Sequence, residues 1–568
     1  MRWRPNLILA FLGSVLLIHP VRADAVADSV TRGNSFFGGQ KFDEAIEQYT
    51  LALRINPSNT VTLYNRAIAF DIKGEYDKAI ANYTDALRID PKYAAALNNR
   101  GDAFNSKGEY DKAIADCTES LRIAPKMTQA LCTRSIAFIG KGEYDKAIAD
   151  CTEALRINPK YAAAFANRGN AFNGMGEYDK ALADLTEALR IDPGLAQAFY
   201  NRGVTFNSKG EYDKAVADYT EALRIDPHSA ITFNNRGLAF NSKGEYDKAI
   251  ADCTAALRID PKLALSYINR GNAYSHKGEW DKAIADYTEA LRVDPKGTAA
   301  FTNRGIAFSG KGEYDKAIAD CTEALRISPK LVQALNIRGD AFNSKGEYDK
   351  AIADCTAALR IDPRDAGAIY NRGNAFNGKG EFNKAIADYT ESLRIGPRYA
   401  AVLNNRGNAF NSAAAYDNAI ADFTEALRID PKYATALANR GDAFDSKGEY
   451  DRAISDYTEA LRIEPKLAKA FYSRGNAFRH KGGYDSAIAD YTECLRIDPG
   501  EADALNNRGL VFASKGKYKE AVADFTEAIR IDANRAGAYH NRALAYDKLH
   551  DTTRADADRA KEKELKPK

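Results

Sequence analysis

An arginine returns every 34 residues, sixteen times, from Arg32 to Arg542, with no insertion or deletion between copies. Thirteen positions after it stands alanine in all sixteen copies, from Ala45 to Ala555. The next residue after the arginine is glycine in thirteen copies, with Ala67, Ser135 and Ala543 in the others. Twenty-five positions after it stands proline in fifteen copies, Ala533 being the exception. A fixed period of this length means a stacked array in which each unit covers its neighbour, not a string of independent globules.

Within a copy the apolar spacing predicts two helices. Around Arg100, helix A spans about residues 94–107, with Leu97, Gly101 and Phe104 on one face. The "KGE" at 107–109 supplies the glycine that ends it. Helix B spans about 110–123, where Tyr110, Ala113, Ile114, Cys117 and Leu121 recur at three- and four-residue steps. Pro125 bars its continuation. A lone pair cannot bury both faces, so stability comes from stacking on the next pair.

Leu97, Arg100, Gly101, Phe104, Ala113, Cys117 and Pro125 together resemble the tetratricopeptide repeat pattern. The resemblance runs in phase over nearly all of residues 26–568. It implies an all-α solenoid of helix–turn–helix repeats coiled into a right-handed superhelix, with helix A lining the concave side. The chain departs from the family at the arginine, where leucine is usual, and where cysteine replaces an aromatic. The ends read as caps. Ser29 stands where other copies have a large apolar residue, and Asp556 and Arg559 make the helix at about 551–566 polar.

The arginine sits on the apolar face of helix A, and an unpaired buried charge is prohibitively costly. An aspartate recurs in step sixteen residues later in fourteen copies, from Asp116 to Asp558; Gln48 and Asn82 replace it in the first two. The pattern predicts a structural ladder in which each arginine pairs with the aspartate of its own or the preceding helix B. The alternative is a basic stripe for acidic ligands.

Residues 1–25 differ from the rest. Arg2 and Arg4 precede an apolar run of twelve, Leu7 to Ile18, followed by small residues at Ala23 and Ala25. This is the order of a secretory signal peptide cleaved after one of those alanines, and it predicts a periplasmic or secreted protein. The alternative is an uncleaved N-terminal anchor. No later segment is apolar enough to span a membrane. Without residues 1–25 the chain carries 77 basic against 77 acidic residues, which gives no electrostatic reason to expect nucleic acid as a partner.

No chemistry-bearing motif stands out. The six histidines are scattered, with no H-E-x-x-H pair or Cys/His cluster, and there is no phosphate-binding glycine loop. The reading is therefore non-enzymatic, with no cofactor, catalytic or metal site. Cys117, Cys151, Cys253, Cys321 and Cys355 share the helix B core slot that holds Tyr83 and Tyr219 elsewhere. Stacked helices lie about 8–10 Å apart, beyond disulfide reach, so all seven thiols are expected to be free.

The residue before the arginine is asparagine in twelve copies: Asn65, Asn99, Asn167, Asn201, Asn235, Asn269, Asn303, Asn371, Asn405, Asn439, Asn507 and Asn541. This resembles the asparagine ladder in the repeat superhelix of O-GlcNAc transferases, and the resemblance implies a solvent-facing row that holds a peptide backbone. Two positions after the arginine, Asp340, Asn374, Asn408, Asp442 and Asn476 form a polar run, while Ile68, Ile136, Val204, Leu238 and Ile306 are apolar. The basic clamp of chaperone-binding members of the family is absent. The expected function is a scaffold of the cell envelope that binds proteins or extended peptides in this groove. The alternative is a structural spacer or self-assembling element.

Overall fold

Each copy forms the two helices its spacing predicts. The computed structural model describes residues 20–397 and 399–565, and contains 32 α-helices, from Pro20–Gly38 to Thr552–Leu565, with no strand among them. Helix A of the third copy runs Ala94–Ser106 and helix B Tyr110–Ile123. The apolar run Leu7–Ile18 lies outside the described residues; Ala23 and Ala25 fall within the first helix. No described helix is long and apolar enough to cross a membrane.

The turn between helices A and B is closed by backbone geometry. Gly108 adopts φ +74°, and the Glu109 N–H donates to the Phe104 carbonyl at 2.9 Å. The twelfth copy has Ala414 at this point, held at φ +57°. After helix B, the Asp90 carboxylate accepts the Lys92 N–H at 3.0 Å and folds the chain around Pro91.

Close packing explains the invariant small residues. The recurrent alanine is fully buried in all sixteen copies. The helix A glycine lies beneath the helix B core slot: a Cβ on Gly203 would sit 2.7 Å from the Tyr219 ring, and one on Gly101 2.8 Å from Cys117 Sγ. Within residues 20–295 and within residues 296–565, helix B of a copy packs on helix A of the next, so one core cluster joins Leu437, Phe444, Tyr457, Leu461 and Ala470 across two copies. The chain divides into two compact units, Met1–Pro295 and Lys296–Lys568, each carrying eight arginine copies.

Candidate functional site

The arginine is satisfied from both sides. Arg100 Nε and Nη2 donate to the two Asp116 oxygens at 2.7 and 2.8 Å, and Nη1 donates to Thr84 Oγ1 at 3.0 Å. Its own helix B therefore supplies the carboxylate, and the preceding helix B supplies a hydroxyl. Arg270 in the first unit and Arg474 in the second have the same three bonds, to Asp286 and Thr254 and to Asp490 and Thr458. The side chains are 19% and 11% exposed at Arg100 and Asp116, so the fork is mostly removed from water. The bond to Asp150 holds the Arg134 guanidinium above its ordinary basicity. In the second copy Asn82 replaces the carboxylate, and burial pulls Arg66 below it. From Arg100 to Arg542 the guanidinium is a structural clamp, not an open basic stripe, whereas Arg32 is 63% exposed and bonds Asp28 of its own helix. The threonine recurs in fifteen copies, from Thr50 to Thr526, a signal that the sequence reading passed over.

The asparagines do not form a simple solvent-facing row. Asn65, Asn99, Asn201 and Asn269 are buried; Asn167, Asn235, Asn303, Asn371, Asn405, Asn439, Asn507 and Asn541 are half-buried. Most donate backwards to helix A of the preceding copy. Asn99, Asn235, Asn405 and Asn507 donate to the hydroxyls of Tyr64, Tyr200, Tyr370 and Tyr472 at 2.9–3.2 Å. Asn269, Asn439 and Asn541 donate to the amide oxygens of Asn234, Asn404 and Asn506 at 3.0 Å. Asn65 donates to Asn34, Asn167 to the Cys132 carbonyl, and Asn371 to the Asn336 carbonyl at 3.4 Å. Asn201 instead accepts from Gln197.

These bonds link into relays. Asn439 donates to Asn404, Asn404 to Asn405, and Asn405 to Tyr370, crossing three copies. The same order runs Asn269, Asn234, Asn235, Tyr200 and Asn541, Asn506, Asn507, Tyr472. The sequence signal is a tyrosine two residues before one arginine followed by a double asparagine before the next. Expecting these side chains to face solvent missed the neighbouring helix that covers them.

The polar run has a similar explanation. Tyr389, Tyr457 and Tyr491 donate their hydroxyls to Asn374, Asp442 and Asn476 at 2.7–2.8 Å within the same copy. A buried phenol needs an acceptor, and the slot two residues after the arginine provides one.

One further asparagine, five residues after the arginine, bridges forward. The amides of Asn105, Asn241 and Asn343 donate to the carbonyls of Thr133, Asn269 and Asn371 at 2.7–2.8 Å. All seven thiols are free and buried. Burial pushes Cys151, Cys253, Cys321 and Cys355 up to about 12, so they are inert as nucleophiles. Among the described residues no group of histidine, cysteine and carboxylate side chains is placed to hold a metal ion.

Family models of the tetratricopeptide repeat match residues 162–195, 196–229, 230–263, 264–296, 298–331 and 400–433, and a second matches 30–93, 64–128 and 472–536. Others match 137–176, 339–380 and 441–482, and 366–399. The chain belongs to the tetratricopeptide repeat family. Its repeats mark a protein–protein interaction scaffold, a fold that is typically non-catalytic. A search of curated proteins returned no match. Among solved structures, the Cut9–Hcn1 hetero-tetramer of APC/C is 16% identical with a TM-score of 0.47, over 86% of this chain and 96% of that one. Naa15/Naa10 bound to HypK-THB is 15% identical with a TM-score of 0.37, over 94% and 99%. A tetratricopeptide repeat protein from Parabacteroides merdae is 21% identical with a TM-score of 0.38, over 44% and 98%.

Proposed function

We propose that this tetratricopeptide chain is a scaffold of the cell envelope that binds extended protein segments along the asparagine-bearing surface of helix A. The observation that carries the reading is the half-buried state of most of the row. Each such asparagine has two N–H groups and an amide oxygen. At Asn439 one N–H is engaged by Asn404 of the preceding copy, which fixes the rotamer of a half-buried amide, whereas Asn405 donates to both Tyr370 and Asn374 and accepts from Asn404. A pre-positioned amide can hold a peptide N–H and C=O without reading side chains. The charged, apolar and small-residue order of residues 1–25 supports export.

The test is partner capture by the mature protein, wild type against Asn371→Ala with Asn405→Ala and Asn439→Ala. Each lost bond to ligand is worth about 0.5–1.5 kcal/mol, so affinity falls roughly ten- to two-thousandfold. Hydrogen exchange over Ala366–Ser446 is the control, because Asn405 also holds Tyr370 and Asn374. Undiminished capture by a normally protected variant overturns the ligand reading. A second reading, a spacer whose amides serve only stacking, is favoured by the relays; capture of no partner by the wild type decides for it.

A further inference from the structure

The fifteenth copy brings three apolar residues together. Leu510, like Leu238 and Leu544, stands where nine copies have a polar residue, and Phe525, like Phe423, stands in the tyrosine slot without a hydroxyl. Ala513 occupies the slot of the forward-bridging asparagine, the one copy of the sixteen with alanine there. Three slots that carry a polar atom in many other copies are thus apolar here. They line an open cleft of about 780 Å³ between Ala502–Ser514, Tyr518–Ile531 and Ala536–Lys548. Its floor is apolar: Leu510, Ala513, the Phe525 ring, Ala545 and Leu544, which is 50% exposed.

The charge around this cleft is inverted as well. Seven other hairpins read "KGEYDKA"; this one reads "KGKYKEA". Lys517 stands in the glutamate slot and Lys519 in the aspartate slot, on either side of Tyr518, which lines the cleft. In earlier copies that aspartate receives the lysine from the end of the next helix A, as Asp77 receives Lys107 at 2.6 Å. Here the facing residue is Leu549, so the rung is missing on both sides. Lys548 and His550 add to the rim. The nearby carboxylates are largely spoken for: Asp547 bonds Arg559, and Asp551 bonds Arg554 at 3.3 Å, which leaves Glu520.

We propose that the cleft over the last two copies seats a bulky apolar side chain carried by an acidic peptide segment. The apolar floor provides the anchor, and the lysines around it favour anionic flanks. Duplication of the common copy does not generate these changes. Ala513 and Lys519 have no counterpart at their slots in any other copy, and Lys517 and Lys519 flank the lining residue Tyr518. This site is separate from the asparagine row over Ala366–Ser446 and stands or falls without it.

The experiment uses the full chain and a fluorescein-labelled heptapeptide, Glu-Asp-Glu-Phe-Glu-Asp-Glu, followed by fluorescence polarisation. The same peptide with alanine in place of phenylalanine is expected to bind about ten- to a hundredfold more weakly. Ala513→Asn with Leu510→Asn restores the residues found in other copies and fills the cleft, with a similar loss. Lys517→Glu with Lys519→Asp, on an exposed turn, reduces binding and flattens its dependence on salt. Asn371→Ala with Asn405→Ala and Asn439→Ala leaves it unchanged. Absence of binding at millimolar protein, equal affinity for the two peptides, or indifference to the lysine changes overturns the proposal. So does binding to phosphatidylglycerol vesicles without binding to the peptide, which assigns the cleft to lipid. If filling the cleft disrupts the fold, the peptide pair and the lysine variant decide.

Discussion

An arginine on a buried face is tolerable only when its donors are met, and here one carboxylate and one hydroxyl from successive helices meet three of them. Asp320→Ala leaves the Arg304 guanidinium, 18% exposed, without its bidentate partner. The expected cost is about 1–3 kcal/mol or more, the penalty of an unmet charged donor. Asp320→Asn costs less, because Asn82 already serves Arg66 through Nε at 2.8 Å. Hydrogen exchange over Thr298–Gly310 and Tyr314–Ile327 reads both, and equal protection in the two variants contradicts the ladder. The thiols test burial. Denatured protein is expected to react seven times with iodoacetamide and folded protein not at all at pH 8. Burial holds Cys321 and Cys355 at about 12, above the unfolded value. The unfolded chain therefore binds fewer protons between about pH 8.5 and 12, so stability is full below that window and declines through it. The aspartate was legible because a charge demands a partner. The threonine recurs as regularly, yet a hydroxyl makes no such demand from sequence alone. The asparagine bonds span 35 residues and depend on how neighbouring A helices cross, which no local spacing encodes.

At the scale of the element, the helix boundaries were almost fully legible, since Gly108, Pro125 and the apolar steps each have a local cause. What the spacing could not give is how tightly helix A sits on helix B. A Cβ at Gly407 meets the Phe423 ring at 2.7 Å, whereas one at Gly305 meets Cys321 Sγ at 3.0 Å. A packed ring cannot withdraw as a single sulfur can. Gly407→Ala is expected to cost about 1–3 kcal/mol through overpacking, and Gly305→Ala clearly less. Denaturant-dependent exchange of the two helix pairs compares them directly. The reverse order means that the glycine serves something other than close approach. Ala67 above Tyr83 and Ser135 above Cys151 show that the array absorbs a side chain at this slot where the local fit allows.

For the molecule as a whole, the decisive property is that cohesion passes only between neighbours, which follows from a repeat that cannot bury its faces alone. The C-terminal end displays this most simply. The helix Thr552–Leu565 covers Ala543 and Tyr546, and its Asp558 clamps Arg542 at 2.7 Å through both oxygens. Its outer side carries Arg559, bonded to Asp556 at 2.9 Å, so the array ends on charge instead of apolar surface. Deleting residues 552–568 strips the cover and the carboxylate together. Exchange in Ala536–Lys548 is expected to rise toward that of a free helix, with a smaller rise in Tyr518–Ile531. Helices Ala434–Ser446 and Tyr450–Ile463, two copies further in, should keep their protection, because none of their contacts has changed. Hydrogen exchange with mass spectrometry resolves these segments in one experiment. Loss of protection that spreads evenly through the second unit means that it unfolds as one cooperative body, and the nearest-neighbour account then fails. Protection that decays copy by copy from the cut end ties this chain's stability to its period, the feature on which every other inference about its fold depends.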